Sequence, residues 1–285
     1  MDHDGLRSVC RYMLDAGCHA IFVAGSTGRG PWFDREARSA ACRTVAEAIG
    51  ADRMLFAGCM ASGLADMIEN AKAAAGAGAQ VVVLTAPGYF AYSQQEIEAI
   101  FLRFADRSPL PVMIYDIPAF AGTELELDLV TRLAQHGNVM GFKDSSANMD
   151  RFGKLIEVVD EPDFVVLQGK EHLLADSLVA GASGFVVSLA HVEPAMFVEL
   201  YRAARSGDAR RAAPLQETAT RLWQRMVSAF ERRPETSTMF HLLDCILRAR
   251  GVCGNIVLDH EGEAPPWLAD WARGSAELCQ GWQAA

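Results

Sequence analysis

The stretch Asn138-Val139-Met140-Gly141-Phe142-Lys143-Asp144-Ser145-Ser146 decides the fold. Its first half is an apolar run of the kind a buried strand needs. Its second half is small and polar. Asp, Ser and Ser ahead of a helical stretch read as a cap, whose side-chain oxygens accept orphan helix N–H groups. Lys143 therefore stands where a strand ends and a helix begins. A lysine with little water around it loses its proton easily and becomes a nucleophile toward ketones. A lysine that only terminates a strand reaches to solvent instead.

Outward from this stretch the same unit repeats. Short apolar strands are expected at 21–24, 54–57, 81–84, 112–115, 139–143, 164–168 and 184–188, at steps of 20 to 33 residues. Helical segments lie between them at 36–49, 64–75, 94–106, 125–135, 148–159 and 173–180. Two of these open on capping boxes, Ser93 with Glu96 and Thr123 with Glu126. Strands alternating with helices imply parallel βα units. A closed βα barrel has eight strands, and seven are visible. The chain opens in a helix at 4–16, and the eighth strand would precede it. The expected fold is α/β: a TIM (β/α)8-type barrel, its first strand missing from this chain, with a C-terminal helical extension. An upstream segment would supply that strand. A doubly wound open sheet is the alternative, but no G-x-G-x-x-G follows any strand.

Residues 1–190 are expected to form the barrel and carry the active site, and residues 191–285 to form helices packed on it. Helices are expected at 194–205, 208–230 and 236–250, and Trp267 and Trp271 mark a short tail helix. The Arg- and Ala-rich segment 202–233 reads as a solvated helix face.

Composition narrows the function. The 285 residues are 51% apolar and carry a net charge of −10, which speaks against nucleic acid or an anionic membrane as partner. No apolar run nears the length of a membrane span, and Met-Asp-His-Asp-Gly does not open a signal peptide. Seven scattered cysteines without a C-x-x-C pair fit buried thiols in a reducing cytoplasm. No His/Cys cluster has zinc-ligand spacing, so no metal is expected.

In a barrel the ends of the strands collect the chemistry. After the first visible strand comes Gly25-Ser26-Thr27-Gly28, a tight turn whose backbone N–H groups and hydroxyls suit a carboxylate. Tyr89 follows the third strand and Tyr115 ends the fourth. Tyrosines at strand ends usually pack. Two of them near a lysine can also relay the proton that imine formation requires.

These motifs resemble the dihydrodipicolinate synthase / N-acetylneuraminate lyase family of pyruvate-dependent class I aldolases. Gly25-Ser26-Thr27-Gly28-Arg29 is similar to its G-T/S-T-G-E signature, Tyr115-Asp116-Ile117-Pro118 to Y-N-x-P, and Gly141-Phe142-Lys143-Asp144 to G-x-K-D/E/Q. The 28-residue step from Tyr115 to Lys143 matches too, and the likeness runs from about residue 4 to about residue 250. The resemblance implies that Lys143 forms a Schiff base with a 2-keto acid and that Tyr115 is the acid/base beside it. Ser26 would link Tyr115 to Tyr89, which would reach in from a neighbouring subunit of a homo-oligomer, a dimer or a dimer of dimers. Gly25, Ser26 and Thr27 would hold the pyruvate carboxylate, and Gly184 and Val186 would line the pyruvate pocket. No cofactor beyond the covalent imine is implied.

Departures from the family pattern bear on the substrate. Arg29 stands where the family has glutamate, either a surface pairing change or a substrate contact. Asp116 replaces the commoner asparagine. Phe120 occupies the position where the synthase branch has an arginine for a substrate carboxylate, and an apolar ring cannot take that role. Ser145 is either a substrate contact or a helix cap. Lys170 and Glu171 are either selectivity residues at the substrate's distal end or solvent-facing. Ser188 and His191 are weaker candidates, His191 more as a structural residue. The expected activity is cleavage of a 2-keto-3-deoxy sugar acid, or a related 2-keto acid, to pyruvate and an aldehyde. A dehydratase of a deoxy-keto-glucarate type acid, 4-hydroxy-tetrahydrodipicolinate synthase and a catalytically silent 2-keto-acid binder are the alternatives.

Overall fold

The computed structural model describes residues 1–159, 161–254, 264–280 and 282. Seven strands form one sheet: β1 (Ala20–Val23), β2 (Met54–Gly58), β3 (Val81–Leu84), β4 (Val112–Asp116), β5 (Val139–Asp144), β6 (Val165–Gln168) and β7 (Gly184–Phe185). They pair in parallel and in chain order, β1 through β7. Helices α1 (His3–Asp15), α2 (Arg35–Ile49), α3 (Leu64–Gly76), α4 (Gln94–Ala105), α5 (Pro118–Ala121), α6 (Leu127–Ala134), α7 (Met149–Val158) and α8 (Leu174–Val179) alternate with them. After β7 come α9 (Pro194–Arg205), α10 (Ala209–Arg232), α11 (Thr236–Ala249) and α12 (Trp267–Leu278). Among the described residues neither β1 nor β7 is paired on its outer edge. The architecture is the expected one, a curled seven-stranded half-barrel with C-terminal helices.

Strand alternation divides the core in two. Val81, Val83, Met113, Tyr115 and Leu167 form a cluster on the inner face of the curl. Their neighbours Val82, Leu84, Ile114 and Phe142 belong to the larger core beneath the helices. That parity decides which side chains face the inside of the curl. Tyr115 and Lys143 pair in register, and so do Asp116 and Asp144 one residue later. Tyrosine and lysine therefore take one face, and the two acids take the other.

Three local expectations need correction. The second capping box does not form: α6 starts at Leu127, and Gln94 reaches across from α4, its Oε1 accepting from Glu126 N at 2.9 Å. The box at Ser93 and Glu96 is present as expected. Asp144, Ser145 and Ser146 do not cap α7. Asn148 does, accepting from Arg151 N, while Asp144 ends β5 and turns its Oδ1 to Ser146 N at 2.6 Å. β7 covers only Gly184–Phe185, because the chain breaks into a short 3-10 turn at Ser188–His191. The arginine-rich helix behaves as expected: α10 buries Ala212, Leu215, Ala219, Leu222 and Ala229. In the tail, Trp271 is buried and donates from Nε1 to Arg225 O at 2.9 Å. Residues 255–263, 281 and 283–285 of the expected helical segment lie outside the described residues.

Candidate active site

The C-terminal ends of β1, β4, β5, β6 and β7 open on one cavity of about 660 Å3. It is lined by Gly25, Ser26, Thr27 and Arg29 after β1, by Tyr115 and Phe120, by Lys143 and Ser145, by Lys170 and Glu171, and by Gly184 and Val186. Twelve residues read from the sequence as site candidates thus meet in one place. Tyr89 is the exception. Its side chain is 77% exposed, stacks edge-on against Phe90 and does not line the cavity.

Lys143 is 7% exposed at the end of β5. Its Nζ lies 4.0 Å from the centroid of the Tyr115 ring and 5.4 Å from that of Phe22. The two rings meet edge to face at 6.4 Å, a favourable geometry for aromatic pairs. This apolar seat leaves the amine facing the cavity rather than bulk water. Gly169 makes room for it: a Cβ there would stand 3.1 Å from Lys143 Cε and 2.0 Å from Ser145 Oγ. Ser145 is buried beside the lysine.

The carboxylate turn is shaped by close backbone approach. Arg29 N donates to Ser26 O and Gly30 N to Gly25 O. A Cβ at Gly30 or at Gly58 would fall within about 2 Å of Ala24 O (1.8 and 2.0 Å), so only glycine fits at either position. Arg29 is neither on the surface nor open to a substrate alone. Its side chain is 5% exposed, its Nη2 sits 3.0 Å from Asp244 Oδ2 on α11, and its guanidinium lies 4.7 Å from the Phe240 ring centroid. Burial pushes the Asp244 carboxyl up, and Arg29 opposes that shift.

At the distal end, Glu171 is 3% exposed and faces inward rather than to solvent. Its Oε1 accepts from Ser188 Oγ at 3.0 Å and Leu189 N at 3.1 Å, which holds the turn after β7. Lys170 is half-buried on the cavity wall. Phe120 is 58% exposed at the rim. His191 hydrogen-bonds Ser188 O at 2.8 Å, and burial pushes its imidazole down from the usual range.

Two features escaped the sequence reading. Phe22 floors the lysine, and its signal was only its inward parity on β1. The other is a charged cluster behind the site. Arg151 Nη2 stands 2.8 Å from Asp116 Oδ2, Nη1 stands 3.3 Å from Asp144 Oδ2, and the rim residue Glu124 is 3.3 Å from Nη1. Burial pushes Asp116 up to about 7 and Asp144 up as well, with Arg151 opposing both.

A curled parallel βα sheet with a cavity at its strand ends, lined by a buried lysine backed by a tyrosine, defines the class: an α/β protein of barrel type. The chain belongs to the dihydrodipicolinate synthetase family, whose model matches residues 1–247. Curated relatives carry the names of synthases and of DapA-like lyases. A 4-hydroxy-tetrahydrodipicolinate synthase of Streptomyces coelicolor is 33% identical over 80% of this chain and 74% of its own. An uncharacterized DapA-like lyase of Halobacterium salinarum is 31% identical over 76% of this chain and 71% of its own. Among solved structures, a family member from Escherichia coli in complex with pyruvate superposes with a TM-score of 0.86 at 26% identity, covering 98% of this chain and 94% of that one. Among the described residues no helix is long and apolar enough to cross a membrane.

Proposed function

We propose that the protein is a class I lyase that cleaves a 2-keto-3-deoxy sugar acid, or a related 2-keto acid, to pyruvate and an aldehyde. The observation that carries this reading is Lys143, 7% exposed and 4.0 Å from the Tyr115 ring, on a cavity shared with the Ser26-Thr27 turn. The substrate carboxylate is held by the turn. Lys143 Nζ attacks the ketone carbon, and loss of water from the carbinolamine leaves an imine. The imine accepts the electron pair of the C3–C4 bond as that bond breaks. The C4 hydroxyl proton passes to Tyr115, and the aldehyde leaves. The resulting enamine is protonated at C3, and water returns the lysine and releases pyruvate. The imine itself is the electron sink, so the step draws on no further cofactor.

The exposed Tyr89–Phe90 pair extends the proposal to assembly. A second copy of the chain covers these rings and brings Tyr89 toward the Ser26 side of its partner's cavity. Sedimentation of the wild type and of Tyr89→Ala tests this: a homo-oligomer that weakens in the variant is expected, and a wild-type monomer refutes it.

The names of the curated relatives favour a second reading, 4-hydroxy-tetrahydrodipicolinate synthesis. Phe120 at the rim speaks against it, since a phenyl ring offers a second carboxylate no donor. A dehydratase uses the same imine but releases water and keeps the carbon chain.

Borohydride trapping with pyruvate, read by intact mass and peptide mapping, is the test. A reduced adduct on Lys143, lost in Lys143→Ala, is expected. An adduct on Lys170, or none on a folded protein, refutes the imine on Lys143. A panel of 2-keto-3-deoxy acids then separates pyruvate release from loss of water.

A further inference from the structure

Asp116 and Asp144 take no part in the chemistry above, yet each directly follows a residue that does. Asp116 succeeds Tyr115 on β4, and Asp144 succeeds Lys143 on β5, in paired register. Both carboxylates are 1% exposed, turned to the helix side of the sheet. The groups facing them come from every element packed there: Arg151 from α7, Glu124 from the segment ahead of α6, and Ser146 from the turn after β5. Among the described residues, therefore, two buried carboxylates share one guanidinium, and the partly exposed Glu124 adds a third negative group. A buried cluster with a surplus negative charge lowers its energy by keeping a proton. Backbone also joins the two strand ends, since Ser145 N donates to Asp116 O at 2.8 Å. Arg151 Nη2 donates to Leu125 O at 2.5 Å, tying the cluster to the chain that enters α6.

We propose that Asp116 and Asp144 hold one proton between them and, clamped by Arg151, act as positioning residues that keep Tyr115 in register with Lys143. The inference rests on the reading of Lys143 as the imine-forming residue. With the proton in place, one carboxylate is balanced by Arg151 and the other is neutral. When the proton leaves, two like charges face each other at adjacent strand ends, and the strain falls on the residues one position earlier. The pair titrates as a unit, so its behaviour belongs to neither acid alone. Asparagine at position 116 keeps the size and the hydrogen bonding but removes the titration.

The direction of the pH effect follows from the raised native value. Asp116 is pushed up to about 7, whereas an unfolded aspartate titrates near 3.9. Between these values the native chain holds a proton that the unfolded chain has lost. Stability is therefore highest below the unfolded value, falls as pH rises from about 4 to about 7, and levels off above.

Two measurements on the full chain test the proposal: rates of borohydride-trapped pyruvyl adduct formation, and urea midpoints, each from pH 5 to 9 for wild type and Asp116→Asn. Expected is a wild-type trapping rate that drops about tenfold relative to Asp116→Asn as pH rises through about 7, with the two agreeing within about threefold at pH 5.5. Also expected is a wild-type urea midpoint that falls from pH 5 to about 7 and levels off above, while that of the variant stays flat. Superimposable profiles in both measurements overturn the shared proton. A change in stability profile with parallel trapping profiles overturns the positioning role. If wild type yields no adduct at any pH, the imine reading fails, and the urea series still reports the proton. Should Asp116→Asn not fold, carboxyl NMR titration of the aspartate-labelled wild type decides. An aspartate titrating near neutrality supports the pair, and none above pH 5 overturns it.

Discussion

The substitution Gly169→Ala is expected to slow imine formation without unfolding the protein. The new Cβ would stand 2.0 Å from Ser145 Oγ, 2.8 Å from Asp144 O and 3.1 Å from Lys143 Cε. The first contact is with the tip of a small side chain, which can rotate away. The second is with strand backbone, and the third is with the arm of Lys143. Some displacement of β5 or of the lysine is therefore unavoidable. Overpacking of this kind costs about 1–3 kcal/mol. If the lysine bears that cost in reaching the ketone, the trapping rate with pyruvate falls roughly 5- to 150-fold, at about 1.4 kcal/mol per factor of ten. Thermal unfolding should shift by only a few degrees, because the strain concentrates at a cavity wall. Ser145→Ala in the Gly169→Ala background removes the 2.0 Å contact but neither of the other two, so it should restore only part of the rate. A Gly169→Ala protein that loses stability but traps pyruvate at the wild-type rate would refute the reasoning, since the strain would then lie away from Lys143.

Three further outcomes are expected. Gly153→Ala, within α7 and with nothing within 4 Å of the new Cβ, should stabilise the protein by about 0.5–1 kcal/mol in urea denaturation, because alanine loses less backbone freedom in a helix. Arg29→Met and Asp244→Leu should each destabilise, and the double variant should cost less than their sum. A coupling of about 1.5 kcal/mol or more in a double-mutant cycle is expected for a buried pair, and additivity within about 0.5 kcal/mol would show the contact to be idle. Burial pushes Cys59 up to about 12 and Cys10, Cys42 and Cys279 up to about 11, so these thiols should resist a thiolate-specific reagent at pH 8 and react at once in urea.

Physics explains which parts of this molecule were legible in its sequence. Strands such as Val81–Leu84, buried on both faces, leave an unbroken apolar run that has few other uses. The order of βα units then carries the strand order with it, since parallel neighbours require a crossover. That Gly25–Thr27, Tyr115 and Lys143 share a cavity was legible because a barrel brings its strand ends together, and these residues lie at or just past strand ends. Caps were less legible. Thr123 and Glu126 have capping-box spacing, but Gln94, 32 residues away from Glu126, supplies the acceptor for that N–H, and a window of local sequence cannot see it. Arg29 and Glu171 show the same limit for charge. Each reads as either a surface residue or a substrate contact, and each is buried because a partner from another part of the chain, Asp244 or Ser188, meets it. The hidden cluster is the strongest case. Asp116 reads as a replacement for the family's asparagine and Asp144 as part of a helix cap, and Arg151 lies in an expected helix. Alternation alone could have placed both acids on the face opposite Tyr115 and Lys143. Only the packing of α7 against that face turns three ordinary charges into one buried group.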